Sequence, residues 1–290
     1  ADSITVIRDG HKIGDFSADE LDPKKLAFYM TGREVDYQKY ERDYEDQQNV
    51  LEVKHLSKKG NYQDISLSVR KGDILGLTGL LGAGRTELAL SVFGLNKPDS
   101  GEIYFEGNKV EINSPEDAID LGIGLVPEDR KAKGALLGLS IQENINMPIY
   151  HRLSKAAVID YKKAKSIAQK YREEISIKTP SLEQKVKNLS GGNQQKVILA
   201  KWLAAESELL IFDEPTRGID VGAKQEIYTL INQLVEQGKA ILMISSEMEE
   251  LMGMSDRIVI LAEGSVSGEI PREEFNQELI MQLASKERNN

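Results

Sequence analysis

The stretch ILGLTGLLGAGRTELAL, from Ile74 to Leu90, constrains this chain more than any other. ILGLTG carries no charge and reads as a short strand buried in a parallel sheet. It runs directly into GLLGAGRT and then into a helical pattern that stops at Gly94. Strand, glycine turn and helix together aim backbone N–H groups and a positive helix end at a phosphate. Gly79, Gly84 and Thr86 satisfy G-x-x-x-x-G-K-[ST], but Arg85 stands where lysine belongs. The candidate phosphate cradle is therefore Gly79, Leu80, Leu81, Gly82, Ala83, Gly84, Arg85, Thr86 and Glu87, with the Thr86 hydroxyl able to ligate Mg²⁺. A tight turn joining a strand to a helix is the plainer alternative for this motif alone.

Two further stretches bear on that choice. In LLIFDEPT, four apolar residues end in Asp213 and Glu214. A buried strand of this kind delivers its carboxylates to its C-terminal end, where ligands bind in parallel sheets. Asp213 suits a magnesium ion held through water, and Glu214 suits orienting or deprotonating an attacking water. A solvated acid pair is the alternative. In LSGGNQQK, Ser190, Gly191 and Gly192 open a helix and offer a hydroxyl, bare N–H groups and a positive dipole end to an anion. A serine N-cap followed by glycines is the alternative there.

Around these motifs the chain alternates strand and helix signals. Asn49–Ser57 and Gln63–Asp73 read as antiparallel strands, and GEIYFEGNKVEI as a hairpin turning at Gly107-Asn108. SPEDAIDLG reads as a short helix with Ser114 as N-cap and Pro115 in its first turn. IGLVPEDR is a strand entering a loop, and residues 140–188 look mostly helical. LLIFD and AILMI are buried strands separated by an amphipathic helix. The expected class is α/β: a mainly parallel core, antiparallel strands ahead of it and a helical insert at about 130–190.

The first and last residues echo each other at a constant offset of 254 positions. Asp2 matches Asp256, Ile4 matches Ile258, Gly10 matches Gly264, Gly14 matches Gly268 and Glu20 matches Glu274. Val6 with Ile260, Ile7 with Leu261 and Leu26 with Ile280 keep the apolar pattern. Each copy reads as a hairpin turning at Asp9-Gly10 or Glu263-Gly264. A repeat unit of that length makes residues 1–31 the tail of one copy and 49–290 a second copy. The charged, tyrosine-rich residues 32–48 form the expected linker, where Tyr37, Tyr40 and Tyr44 are spaced as a helical stripe.

Bulk properties narrow the function classes. The 290 residues carry 47 acids against 37 bases, a net charge of −10, with no Lys/Arg block, which argues against a nucleic-acid partner. With no cysteine, disulfides and thiolate zinc sites are excluded, and His11, His55 and His151 lack metal-ligand spacing. The longest apolar runs fall far short of the ~20 residues of a spanning helix. A soluble, intracellular chain is expected, reaching a membrane only through a partner.

The three motifs in this order resemble the nucleotide-binding domain of ABC transporters, with LSGGNQQK as its signature. The resemblance covers residue 49 to about 285. It implies a P-loop ATPase with a RecA-like parallel-sheet core, an antiparallel β subdomain and a helical subdomain. GLLGAGRTEL, VPEDRK, LSGGNQQK and DEPTRGIDVGAK look more narrowly like the duplicated ATPase subunit of bacterial importers for ribose, galactose or xylose. That implies ATP and Mg²⁺ as cofactors and a peripheral place on the cytoplasmic face of the bacterial membrane. It implies a first nucleotide-binding domain in the same subunit, transmembrane permease subunits and, indirectly, a periplasmic or extracellular sugar-binding protein as partners. In the family, Ser190, Gly191, Gly192, Asn193 and Gln194 complete the partner domain's site, and Asp220 in RGIDVG lies at the interface between domains, although a surface turn reads equally well. Residues 128–150 fall where the membrane subunit docks, and the apolar GALLGLSI within them suits either core or partner surface. Trp202, Met248, Met252 and Met254 read as core.

Three positions depart from the family pattern. Arg85 replaces the lysine, Glu128 stands for a glutamine that touches metal and membrane partner, and Ser246 stands for a histidine that contacts the γ-phosphate. All three belong to one phosphate. Arginine binds phosphate as a planar fork rather than a point charge, Glu128 adds negative charge beside it, and serine supplies no imidazole. The expected site binds nucleotide and hydrolyses it slowly or not at all, or acts only as a regulatory binding module. The aromatic that stacks on adenine is also missing a clear candidate, since only His55 and Tyr62 are nearby.

Overall fold

The computed structural model describes residues 3–8, 10–21, 25–26, 28–29, 48–155 and 158–286. Tyr37, Tyr40, Tyr44 and nearly all of the expected linker lie outside the described residues. The N-terminal strands β1 (Ser3–Arg8) and β2 (His11–Ser17) pair antiparallel. Beyond the linker, β3 (Asn49–Lys58) and β4 (Tyr62–Arg70) form the expected antiparallel pair. Next come β5 (Ile74–Gly79) and helix α1 (Arg85–Val92). The hairpin of β6 (Ser100–Phe105) and β7 (Asn108–Val110) turns at Glu106-Gly107, one residue earlier than expected. Phe105 pairs with Asn108, so asparagine belongs to the strand, and Gly107, with φ of 78°, takes the left-handed place.

Helix α2 (Pro115–Leu121) starts as its sequence requires: Ser114 accepts from the Asp117 N–H, Asp117 reaches back to the Ser114 N–H, and Pro115 fills the first position. Then follow β8 (Ile123–Val126), a single π-helical turn (Arg130–Gly134), α3 (Ile141–Asn146) and α4 (Tyr150–Leu153). The short pair β9 (Ser154–Lys155) and β10 (Val158–Ile159) interrupts the helices of the insert, and residues 175–190 are turns and loop apart from a 3-10 turn at Val186–Asn188. Helices α5 (Tyr161–Glu174) and α6 (Gly191–Ala204) complete that lobe, where they pack on each other and on α3. The core resumes with β11 (Leu209–Asp213), α7 (Val221–Glu236), β12 (Ala240–Ile244), α8 (Met248–Met254), β13 (Arg257–Ala262), β14 (Ser265–Pro271) and α9 (Gln277–Ala284).

Six strands form the main sheet in the order β14-β13-β5-β12-β11-β8, parallel except for β14. Strands β11 and β12 are buried at every position, as apolar runs between helical layers must be, with Asp213 alone ending β11 in a carboxyl. A second, antiparallel sheet runs β4-β3-β6-β7. The register of the main sheet positions the chemistry. Leu77 of β5 pairs with Ile244 of β12, and Ile244 pairs with Asp213 of β11. The glycine loop, Ser246 and Glu214 thus all leave the sheet at one edge.

The two terminal hairpins share one register. Ser3 pairs with Ser17 as Arg257 pairs with Pro271, and Arg8 pairs with His11 as Ala262 pairs with Ser265. Both carry a bulge at the corresponding place, between Val6 and Ile7 and between Ile260 and Leu261. Both continue into a 3-10 turn, Ala18–Glu20 and Arg272–Glu274. One difference matters: β13 also pairs in parallel with β5, whereas β1 has only β2 beside it among the described residues. Trp202 and Met254 are core, while Met248 and Met252 pack half-buried on a smaller cluster around Leu251 and Ile258.

Candidate functional site

The glycine loop is an exposed bridge between two buried elements. Leu81 is fully exposed and Leu80 is exposed, so neither is held by packing. Gly84 has φ of 91°, and a Cβ there would lie 2.6 Å from the Asn61 carbonyl oxygen. Only glycine meets both conditions, which fixes the loop against β4 just before α1 begins. Arg85 and Thr86 then occupy the first turn of α1. The Arg85 Nη1 is buried with no hydrogen-bond partner. A buried guanidinium nitrogen left unpaired is costly and marks a place built for a group the protein itself does not supply.

Thr86 donates its hydroxyl to Asp213 Oδ2 at 3.0 Å, which joins the helix after β5 to the end of β11. The other carboxylate oxygen, Oδ1, is buried and unpaired. Burial pushes the Asp213 carboxyl up to about 6, and the neighbouring Glu214 charge pushes the same way, against the Thr86 hydrogen bond. A hydroxyl, an orphaned carboxylate oxygen and an unpaired guanidinium nitrogen match a magnesium ion bound to an anionic phosphate. The donor set fits that pair.

Glu214 carries φ of 52°, an unusual conformation for a side chain with a Cβ, and its N–H donates to the Ile244 carbonyl at 2.9 Å. Ser246 donates to Glu214 Oε2 at 3.1 Å. The serine expected at the γ-phosphate end is therefore within reach of the candidate base. Glu128 is exposed and forms an ion pair with Arg217. Arg217, three residues beyond Glu214, thus offsets the negative charge that Glu128 brings. Arg130, for which the sequence alone suggests no role, donates to the carbonyls of Arg217 and Gly218 at 2.7 and 2.9 Å. A Cβ at Gly191 would lie 3.0 Å from its Nη2, so one guanidinium sits between the Gly218 turn and the signature.

The signature opens α6 as expected, but Ser190 does not cap the helix with its side chain. Its hydroxyl accepts from Asn193 Nδ2 at 2.9 Å instead. Gly191 is half-exposed, while Gly192 is buried where a Cβ would come within 2.6 Å of the Ala223 methyl. Gln194 is also buried, and its amide donates to the Leu189 carbonyl at 3.1 Å. Asp220 is exposed and caps α7 by accepting from the Ala223 N–H at 2.9 Å. The signature is not brought to the glycine loop of its own chain by any hydrogen bond or ion pair among the described residues.

A pocket of about 710 Å³ opens beside the glycine loop, lined by Lys58, Lys59, Gly60, Asn61, Gly82 and Asp99 among others. Tyr62 borders it, but this side chain is buried and its hydroxyl donates to Ser91 at 2.6 Å. His55 is exposed, pairs with Asp64 at 2.8 Å and lies outside that lining. The Tyr62 hydroxyl is thus engaged by Ser91, and His55 does not line the pocket. His11 and His151 join no group of potential metal ligands among the described residues. Of GALLGLSI, Leu136 and Leu139 are exposed and Ile141 is buried, so the stretch divides between surface and core.

Known proteins resemble this chain in sequence and fold. A family described as ABC transporter matches residues 62–217. A putative ribose/galactose/methyl galactoside import ATP-binding protein of Geobacillus kaustophilus is 47% identical over 284 residues, covering 98% of this chain and 56% of that protein. A xylose import ATP-binding protein of Thermoanaerobacter pseudethanolicus is 48% identical, covering 98% of this chain and 58% of that protein. A ribose import ATP-binding protein of Clostridium perfringens is 50% identical, with 97% and 56% covered. The chain thus spans a little over half the length of these relatives. Among solved structures, a nucleotide-free ATP-binding cassette from an ABC transporter aligns with a TM-score of 0.68 at 20% identity, covering 82% of this chain and all of that one. A dimeric cassette in a post-hydrolysis state bound to ADP and phosphate aligns with a TM-score of 0.65 at 22% identity, covering 78% and 100%. At those identities the structures show the shared fold, an α/β cassette with a parallel core, an antiparallel sheet and a helical lobe. No helix among the described residues is long and apolar enough to cross a membrane. Sheet register, motif order and relatives agree: the chain belongs to the ABC transporter family of ATP-binding cassettes.

Proposed function

We propose that this chain is the second nucleotide-binding domain of a tandem ATPase subunit that powers import of a monosaccharide. The single observation that carries the tandem reading is the shared register and bulge of the two terminal hairpins. In this reading β1 and β2 close the sheet of a preceding cassette, as β13 and β14 close this one. The relatives' names supply the sugar, and the partners follow from them: the first cassette, membrane permeases and, at one remove, a sugar-binding protein outside the membrane. The subunit then works at the cytoplasmic face, held there by its permeases.

In this function, residues 79–87 hold the nucleotide phosphates. Thr86 and Asp213 hold the magnesium ion, which supplies charge neutralisation at the phosphates. Glu214 and Ser246 face the γ-phosphate end, with Glu214 as candidate base, and Glu128 lies at the approach to the same phosphate. Ser190, Gly191, Gly192, Asn193 and Gln194 serve the partner cassette, and Asp220 lies at the interface between them. Arg85 and Ser246 make this cassette's own site slow, because neither sets a compact charge or an imidazole at the transferring phosphoryl group. A binding module without hydrolysis is favoured by those same two residues, whereas the retained Glu214 favours residual turnover. The test assays the chain with MgATP and with MgADP: nucleotide binding with little turnover is expected. Fast magnesium-dependent turnover, lost in Glu214→Gln, contradicts the slow-site reading, and failure to bind either nucleotide contradicts both.

A further inference from the structure

Behind the nucleotide-facing residues lies a buried carboxyl group with no assigned task. Glu250 sits in α8 and is only 1% exposed. Its Oε1 accepts from the Thr216 hydroxyl at 2.7 Å, and its Oε2 forms a short hydrogen bond with Ser245 Oγ. Thr216 and Ser245 are themselves buried. Burial pushes the Glu250 carboxyl up, while the hydroxyls of Ser245, Thr216 and Tyr228 pull against it.

The positions of these partners give the cluster its meaning. Thr216 lies two residues after Glu214, on the loop leaving β11. Ser245 immediately precedes Ser246, on the loop leaving β12. One carboxyl therefore ties together the two loops whose tips meet in the Ser246–Glu214 hydrogen bond. An ordinary core would fill this space with a leucine at lower desolvation cost. A satisfied polar cluster instead fixes one arrangement of the groups it joins. Such fixing is what the left-handed backbone at Glu214 requires, since a strained conformation persists only where its surroundings over-determine it.

We propose that Glu250 is a positioning residue that holds the Glu214 and Ser246 loops in the arrangement that receives a γ-phosphate. It touches no nucleotide itself. Its amide isostere keeps an acceptor and adds a donor in the same volume, whereas alanine removes both anchors. This inference rests on the nucleotide-binding reading for its ligand, so the test has one arm with nucleotide and one without.

Without nucleotide, amide hydrogen exchange is followed in the wild type, Glu250→Gln, Glu250→Ala and Thr216→Val. In Glu250→Ala, peptides covering residues 214–219 and 244–247 exchange at least tenfold faster, while the α1 peptide 85–92 is unchanged. Glu250→Gln stays within threefold of the wild type at both loops. Thr216→Val, which keeps the side-chain volume, speeds only 214–219 and serves if the alanine variant does not fold. With nucleotide, affinities for ADP and a non-hydrolysable ATP analogue are compared. Glu250→Ala leaves ADP affinity within twofold but loses at least fivefold in the analogue-to-ADP preference, and Glu250→Gln restores it. The inference is overturned if Thr216→Val leaves its loop unchanged, if the alanine and glutamine variants behave alike, or if ADP and analogue affinities fall together. Absence of all nucleotide binding by the wild type overturns the functional reading, while the exchange arm still decides whether Glu250 anchors the loops.

Discussion

Asp213 is where a residue's environment and its proposed task can be separated by pH. Its folded-state value of about 6 lies above the ordinary 3.8, so between those two values the folded chain binds more protons than the unfolded one. Stability therefore falls as pH rises from about 4 to 6 and stays lower above that window. Asp213→Asn removes this cost, which is at most about 3 kcal/mol, since each tenfold change in proton affinity is worth about 1.4 kcal/mol. Its unfolding temperature is expected to exceed the wild type's at pH 7.5, with the gain gone near pH 4, as followed by scanning calorimetry. The same variant loses the effect of Mg²⁺ on nucleotide affinity, so this residue lowers stability in exchange for function. Arg85 is the other residue of the nucleotide site whose burial leaves an unpaired atom, Nη1. Both were singled out by motif position alone. Glu250 was not: nothing in the run MEEL sets it apart from its neighbour Glu249, and only the fold brings it against Thr216 and Ser245.

Among the elements, the strands were the most legible part. A strand that opens on the apolar run LLIF has nowhere to lie except between helical layers, and its register then fixes where Asp213 emerges at its end. Turns were read less well, because Gly107 could take either of two turn places and only pairing with Phe105 decides. The β9–β10 pair left no signal, being two residues on each side. The signature helix also joins two lobes. Trp202 on α6 is 6% exposed and packs edge-on against Phe93 at 5.4 Å between ring centres, with the Lys201 ammonium over its ring at 4.3 Å. Trp202→Ala is expected to cost about 3–5 kcal/mol in urea unfolding, without changing the affinity of the folded chain for ADP. A large loss of affinity there would mean that the helix, rather than the glycine loop, carries this chain's own nucleotide contacts. On the antiparallel sheet, Tyr62 is turned inward and the pocket wall offers Lys58, Lys59, Gly60 and Asn61. Phosphates rather than the base then dominate recognition, and ADP and GDP are expected to compete within threefold of each other in a displacement titration. A preference for ADP beyond tenfold would require a base contact that these residues do not make.

Across the whole molecule, the proposed function divides the labour between two cassettes. The residues proposed to bind nucleotide here sit at the edge defined by Leu77, Ile244 and Asp213, while Ser190 and Gly191 open a helix without a bond to that edge among the described residues. The echo between the chain ends was visible as matching residues, but its depth was not. Equal register, an equal bulge and an equal following turn are properties of backbone pairing that residue identity reports only in part. The most direct test uses the complete tandem subunit with its permeases and compares two variants of this half by magnesium-dependent ATP turnover. Glu214→Gln is expected to leave turnover within threefold of the wild type, because this site contributes little. Ser190→Ala is expected to lower it at least tenfold by impairing the partner cassette's site. The reverse pattern, with Glu214→Gln silencing the subunit and Ser190→Ala leaving it unchanged, would contradict this division of labour.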